Sequence, residues 1–210
     1  METALKNPTR LLLVRHGEVD ARWRGTIYGR LDVSLSERGL EQSGLVAAAL
    51  AAEPIERVVS SGLQRAEAAA AMIRASRPAL ARRDDARLLE LDRGAWAGRP
   101  IADLESEAPE AMARWRSVRG AMGAPGGEEP EALAVRVREA LDELATEHSG
   151  QAVAVVAHLW VVRSALAACL GLPMARSASL GLPPGGICEV LWPAAGWASG
   201  RGPQLVRLGR

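Results

Sequence analysis

His16, preceded by Arg15 and followed by Gly17 and Glu18, is the residue of this chain best equipped to act as a nucleophile. A neutral imidazole can attack phosphorus, and a neighbouring guanidinium can hold phosphate oxygens in a fork while leaving the ring free. An Arg-His pair also occurs on solvated surfaces, so three later positions have to decide its meaning. Arg65 stands in the first turn of a helical pattern, where free backbone N–H groups favour an anion although the dipole disfavours the cation itself. A phosphate lying between them would reconcile the two; pairing with Glu67 or with solvent is the alternative. Glu90 follows a brief apolar run, Leu88-Leu89, and opens onto the glycine-punctuated loop Asp92–Gly98, which makes it a candidate acid. His158 ends the strongest buried run in the chain, Val153–Ala157.

These side chains need elements to bring them together. Leu11–Val14 reads as a buried strand ending at Arg15, Arg57–Ser60 as a second, Val153–Ala157 as a third, and Leu88-Leu89 as a fourth short run. Helical patterns follow. Ser36 is an N-cap for a helix with Leu45, Val46, Ala49 and Leu50 on its apolar face, and Leu63, Ala66, Ala70 and Ile73 mark another. Pro100–Arg116 is helical with a break at Pro109 and a packed Trp115. Pro130 opens a helix lined by Leu133, Val137, Ala140, Leu141 and Leu144, and His148 reads as its helix-end histidine. Trp160–Leu170 is a further helix, stopped by Gly171 and Pro173. Strands are expected at Ile187–Leu191 and Gln204–Leu208 with a glycine-rich turn around Trp197–Gly202. Val19–Asp32 and Gly120–Pro130 read as long loops, the second either a cover for the site or a spacer. Strands alternating with helices predict a three-layer α/β/α sandwich on a mostly parallel central sheet, and in such a sheet the strand ends share one edge.

The chain has 210 residues, which suits a single domain over 1–210 with a sizeable core. Its charges nearly cancel, leaving +1, and there are few aromatic residues, so neither nucleic acid nor an anionic membrane surface is an expected partner. No apolar run reaches the roughly 18 residues of a membrane span, and METALKNPTR lacks an apolar core and a cleavage site, so a soluble cytoplasmic protein is expected. Cys169 and Cys188 read as reduced thiols. With three histidines and no HExxH or CxxC spacing, neither a metal site nor a cofactor is expected.

LLLVRHGE at 11–18, GRLDVSLSERGLEQ at 29–42, VVSSGLQRAEAAA at 59–71, LLELDRGAWAG at 88–98 and VAVVAHLWVVR at 153–163 fall in an order and spacing that resembles the histidine phosphatase superfamily, the phosphoglycerate-mutase-like proteins. The tripeptide Arg-His-Gly is a weak match alone; the ordered set covers most of the chain. It looks most like the small α-ribazole phosphatases and broad-specificity members. The resemblance implies that His16 becomes a phosphohistidine and that Glu90 protonates the leaving oxygen. It implies equally that Arg15, Gly17, Arg65 and His158 bind the phosphate of a small phosphorylated metabolite. The expected activity is a metal-independent phosphomonoesterase; a phosphoglycerate mutase and a phospho-ligand-binding pseudoenzyme are the alternatives. For His16 to attack, its other ring nitrogen should donate to a fixed backbone carbonyl. Two departures stand out. Ala21-Arg22-Trp23-Arg24 occupies the place of a loop asparagine, so that its phosphate contact is either missing or replaced by Arg22, and Leu159 replaces the glycine after the second histidine, adding bulk beside the pocket.

Overall fold

The computed structural model describes residues 7–194 and 202–209. The chain opens with β1 (Thr9–Arg15), β2 (Thr26–Ile27), α1 (Glu37–Ala49), β3 (Ile55–Ser60), α2 (Gln64–Ala75) and β4 (Ala81–Asp84). It continues through β5 (Arg99–Pro100), α3 (Ile101–Glu107), α4 (Pro109–Ser117) and α5 (Pro130–Glu147). It closes with β6 (Ala152–Ala157), α6 (Leu159–Leu170), α7 (Met174–Ser177), β7 (Ile187–Trp192) and β8 (Gln204–Leu208). Six strands form one sheet in the order β4-β3-β6-β1-β7-β8. β4, β3, β6 and β1 are mutually parallel, whereas β7 runs antiparallel to β1 and β8 to β7.

The central strands are buried on both faces, so their apolar runs are continuous, and the pleat divides them between two cores. Leu11, Leu13, Val153 and Val155 face the α5–α6 layer, with Leu133, Val137, Leu141, Val161 and Leu166 packed on them. Leu12, Val14, Ala154 and Val156 face the opposite layer and meet Val46, Leu50, Ala66, Ala70 and Ile73 of α1 and α2. The result is the expected three-layer sandwich. A third, small cluster of Ile27, Trp96, Leu104, Met112 and Ala124, with the half-buried Trp115 against it, ties the β2–β5 hairpin-like pair to α3 and α4. No helix among the described residues is long and apolar enough to cross a membrane.

Most expected elements are present, including the Ser36 cap, whose hydroxyl accepts the Gly39 N–H at 3.0 Å. Two expectations need correction. Leu88-Leu89 is no strand: Ala86–Leu88 is a 3-10 turn and the chain leaves it extended. The fourth parallel strand is β4, Ala81–Asp84, an edge strand whose polar ARRD sequence carries no apolar signal. Leu45 points to solvent although it was expected on the apolar face of α1, because Val46 and Leu50 already fill that contact. The turn expected around Trp197–Gly202 lies outside the described residues except for Gly202.

Candidate active site

The parallel register decides which side chains meet. Val14 of β1 and Ser60 of β3 both stand opposite Val156 of β6, so the three strands end level. One or two residues further on, each chain delivers a functional group to the same edge: His16, Ser61 and His158. The backbone of His16 is held on both sides, its N–H on Ala157 O and its C=O by the Gly185 N–H, each at 3.1 Å.

His16 Nδ1 lies 2.7 Å from Gly17 O. A carbonyl only accepts, so Nδ1 carries the proton and Nε2 presents a bare lone pair, which is the tautomer a nucleophile needs. Burial, reinforced by the positive charges of Arg65 and Arg15, lowers the pKa of His16 to about 3, so the ring is neutral throughout the physiological range. His158 faces it with ring centroids 5.2 Å apart. Its pKa is also lowered, first by burial and then by Arg65 and His16. His158 Nε2 is 2.8 Å from the hydroxyl of Ser61, while its Nδ1 is buried and has no hydrogen-bond partner among the described residues. Ser61 is therefore a positioning group that reading by residue type alone passed over.

Gly17 owes its identity to space. A Cβ there would sit 2.2 Å from Gly39 O, and one on Gly39 would sit 2.0 Å from Glu18 O. The His16–Glu18 loop thus lies directly on the first turn of α1.

Arg65 is fully buried and pairs with neither Glu67 nor solvent. Its Nη1 donates to Leu31 O at 2.6 Å and its Nη2 to Gly29 O at 2.7 Å, and its guanidinium lies 5.4 Å from the centre of the Tyr28 ring. Arg65 thereby fastens the Val19–Asp32 loop over the strand ends. The first-turn N–H of Gln64 is taken by Asp32 Oδ1 at 2.7 Å, so that donor is not free for a phosphate as the sequence suggested. Arg15 donates through Nη1 to Leu182 O at 2.6 Å. The Nε atoms of Arg15 and Arg65 are buried without partners, as is His158 Nδ1. Burial lowers the pKa of both arginines, and it raises that of Tyr28, with Glu90 adding to that rise.

Glu90 is buried, and its Oε1 accepts the backbone N–H groups of Leu91 at 2.8 Å and Trp160 at 3.3 Å. Its own carbonyl accepts from Arg30 Nε at 3.1 Å and Arg136 Nη2 at 3.2 Å. Arg136 Nη1 also holds the carbonyls of Arg87 and Leu89. Glu128 Oε2 bridges the two arginines, 3.0 Å from Arg30 and 2.8 Å from Arg136. Glu128 comes from the Gly120–Pro130 loop, which is therefore docked on the segment that presents Glu90. Arg136 and Glu128 were missed from sequence because both read as ordinary solvated charges.

Arg22 does not reach this site: its side chain is 66% exposed and its Nη2 lies 3.2 Å from Ser34 Oγ. Leu159, half-buried at the start of α6, packs partly against the α5–α6 core. Among the described residues, no group of three or more His, Cys, Asp or Glu side chains is placed to hold a metal ion. His148 caps α5 as expected, accepting at Nε2 from Arg57 Nε at 3.0 Å.

The model of the histidine phosphatase superfamily (branch 1) matches residues 11–201. Phosphoserine phosphatase 1 of Hydrogenobacter thermophilus is 33% identical over 172 residues, covering 82% of this chain and 81% of that protein. The native structure of mycobacterial glucosyl-3-phosphoglycerate phosphatase superposes with a TM-score of 0.81 at 29% identity, over 95% of this chain and 96% of the other. A putative α-ribazole-5'-P phosphatase from Escherichia coli gives the same TM-score at 25% identity, over 97% of both chains.

Proposed function

The chain belongs to the histidine phosphatase superfamily (branch 1), and from that premise we propose that it is a phosphomonoesterase that hydrolyses a small phosphorylated metabolite through a phosphohistidine at His16. One observation carries the reading. Two buried guanidinium donors, Arg15 Nε and Arg65 Nε, and a buried ring nitrogen, His158 Nδ1, lack partners around a neutral imidazole whose Nε2 is free. Orphaned buried donors are costly, and an anion with several oxygens satisfies them together.

His16 Nε2 attacks phosphorus and the P–O ester bond breaks. Glu90 gives its proton to the departing oxygen. Arg15, Arg65 and His158 offset charge on the equatorial oxygens, which is most of what phosphoryl transfer asks of a protein. Glu90, now a carboxylate, takes a proton from water as that water attacks the phosphohistidine. The N–P bond breaks and inorganic phosphate leaves. No step calls on a metal. We place the reaction in the cytoplasm, a reading supported by the free thiols of Cys169 and Cys188, whose pKa values burial pushes up to about 12.

Rapid quenching with nitrophenyl phosphate tests this: an acid-labile, alkali-stable phosphoryl group should appear on His16, with inorganic phosphate as the product. His16→Ala should lose roughly three decades or more of kcat/KM. Near-normal turnover by that variant would overturn the assignment. Return of the phosphoryl group to an organic product would identify a mutase instead.

A further inference from the structure

Ser61 does more than hold a ring in place. His158 is fully buried, its backbone is fixed as the N-cap of α6, and its Nε2 stands 2.8 Å from Ser61 Oγ. Two arrangements of protons fit that distance in a neutral ring. Either Nε2–H donates to the hydroxyl and Nδ1 is a bare lone pair, or the hydroxyl donates to a bare Nε2 and the ring proton is on Nδ1. Phosphate oxygens accept hydrogen bonds, so only the second arrangement makes Nδ1 a ligand for them.

The surroundings of Ser61 decide between the two. It lies in the buried turn between β3 and α2, 5% exposed, and its Oγ already accepts the backbone N–H of Leu63 at 3.3 Å. If Nε2–H donated to the same oxygen, the serine's own hydrogen would have no acceptor among the described residues, and Nδ1 would be a second buried group without a partner. With the hydroxyl donating to Nε2, Oγ both accepts and donates, and of this pair only Nδ1–H is left over. Each buried polar group without a partner costs free energy, so the arrangement with one orphan is favoured over that with two. A ring charged on both nitrogens would strand the same serine hydrogen beside the positive charges of Arg65 and Arg15, which already disfavour it.

We propose that Ser61 sets the tautomer of His158: its hydroxyl takes the Leu63 N–H, donates to Nε2, and so makes Nδ1–H the group that meets the phosphate. This rests on the phosphatase reading and deepens it. His16 and His158 thus share one tautomer for opposite purposes, His16 showing its bare Nε2 to phosphorus and His158 its Nδ1–H to an oxygen. A backbone carbonyl, Gly17 O, fixes the first ring, whereas the second depends on a side chain that can be substituted. A neutral donor also binds the anion without adding a third positive charge to those of Arg15 and Arg65.

Protein labelled with nitrogen-15 in its three histidines reports the tautomers directly, because protonated and bare ring nitrogens resonate far apart in long-range proton–nitrogen spectra. Comparison with His158→Gln assigns the signals. The wild type should show a protonated Nδ1 and a bare Nε2 at His158; the reverse tautomer, or a ring protonated on both nitrogens at neutral pH, would overturn the proposal. In Ser61→Ala that signal should give way to a mixture of tautomers. With it, kcat/KM on nitrophenyl phosphate should fall by roughly 10- to 100-fold, the range for one hydrogen bond to a charged group, and inhibition by inorganic phosphate should weaken in step. Ser61→Thr keeps the hydroxyl and should restore both the tautomer and most of the activity. A loss of activity in Ser61→Ala with the His158 spectrum unchanged would reduce Ser61 to packing and overturn the proposal, as would full activity with the tautomer shifted. The spectrum needs no turnover, so the expected tautomer in a wild type that fails to hydrolyse nitrophenyl phosphate would sink the phosphatase reading and leave the tautomer assignment standing. Should Ser61→Ala fail to fold, the wild-type spectrum decides.

Discussion

Glu90 is fastened to Trp160: the carboxylate Oε1 accepts that residue's backbone N–H at 3.3 Å, so the acid is tied to the first turn of the helix capped by His158. One short element thus fixes the proposed phosphate ligand and the proposed proton donor relative to each other. Removing the proton should separate the two roles. Glu90→Gln keeps an oxygen for Trp160 and should cut kcat on alkyl phosphates by roughly 10²- to 10⁴-fold, with a much smaller loss on nitrophenyl phosphate, whose leaving oxygen needs little protonation. Equal losses on the two substrates would make Glu90 structural.

Arg136 acts on the same acid from behind. Its guanidinium holds the carbonyls of Arg87, Leu89 and Glu90 and is itself paired with Glu128. Arg136→Gln should let that segment drift and lower kcat by about 10- to 100-fold, again more on alkyl than on nitrophenyl phosphates. Arg136→Lys should recover part of the loss. A variant whose deficit does not depend on the leaving group would show that Arg136 only stabilises the fold.

Stability should fall in mild acid. The unfolded chain protonates His16 and His158 near pH 6.5, whereas burial keeps the folded His16 neutral down to about 3 and also holds His158 neutral well below the ordinary value. The unfolded state therefore binds more protons below pH 6.5, and folding loses up to about 1.4 kcal/mol per pH unit for each ring. Asp85, Glu128 and Glu189, whose pKa values are lowered by arginine partners, withdraw their stability only below about pH 4.5. Urea denaturation between pH 4.5 and 7 isolates the histidines. His158→Gln should flatten the slope, and a flat wild-type profile would contradict the buried neutral pair.

Leu159 separates two uses of bulk. It packs partly against the interior and is half-buried. Leu159→Gly should lower stability by about 1–3 kcal/mol through lost burial and added backbone freedom. If the exposed part of the side chain also walls the pocket, the ratio of kcat/KM for bulky over small phosphomonoesters should rise in the variant. A constant ratio would leave Leu159 to the core.

What could be read from residue order was largely what the strands do. The runs before His16 and His158 are buried on both faces, so they are continuous in sequence and their ends are visible, as is the Arg65 helix with its alanine stripe. Glu90 was found for its chemistry and given the wrong local structure, since the polar edge strand β4 hid the true neighbour of β3. The arginines were harder. Arg93, Arg136 and Arg163 look like surface charges until the fold turns carbonyls of distant loops toward them, and no spacing along the chain encodes that. Tyr28 was lost in the same way, its loop being tied down from 36 residues away by Arg65.

The contact between Gly17 and Gly39 sets a rule for variation. Any other residue at either position brings a Cβ into backbone that stands 2.0–2.2 Å from it, and backbone cannot turn aside as a flexible side chain can. Compensation by a smaller neighbour is also closed off, because the atoms met are the backbone of Gly39 and Glu18, which every residue carries. In a saturation library selected for turnover, both positions should return glycine alone while Glu18 and Arg38 between them vary. The two glycines are thus fixed by contact with backbone, apart from any part that Gly17 takes in binding phosphate.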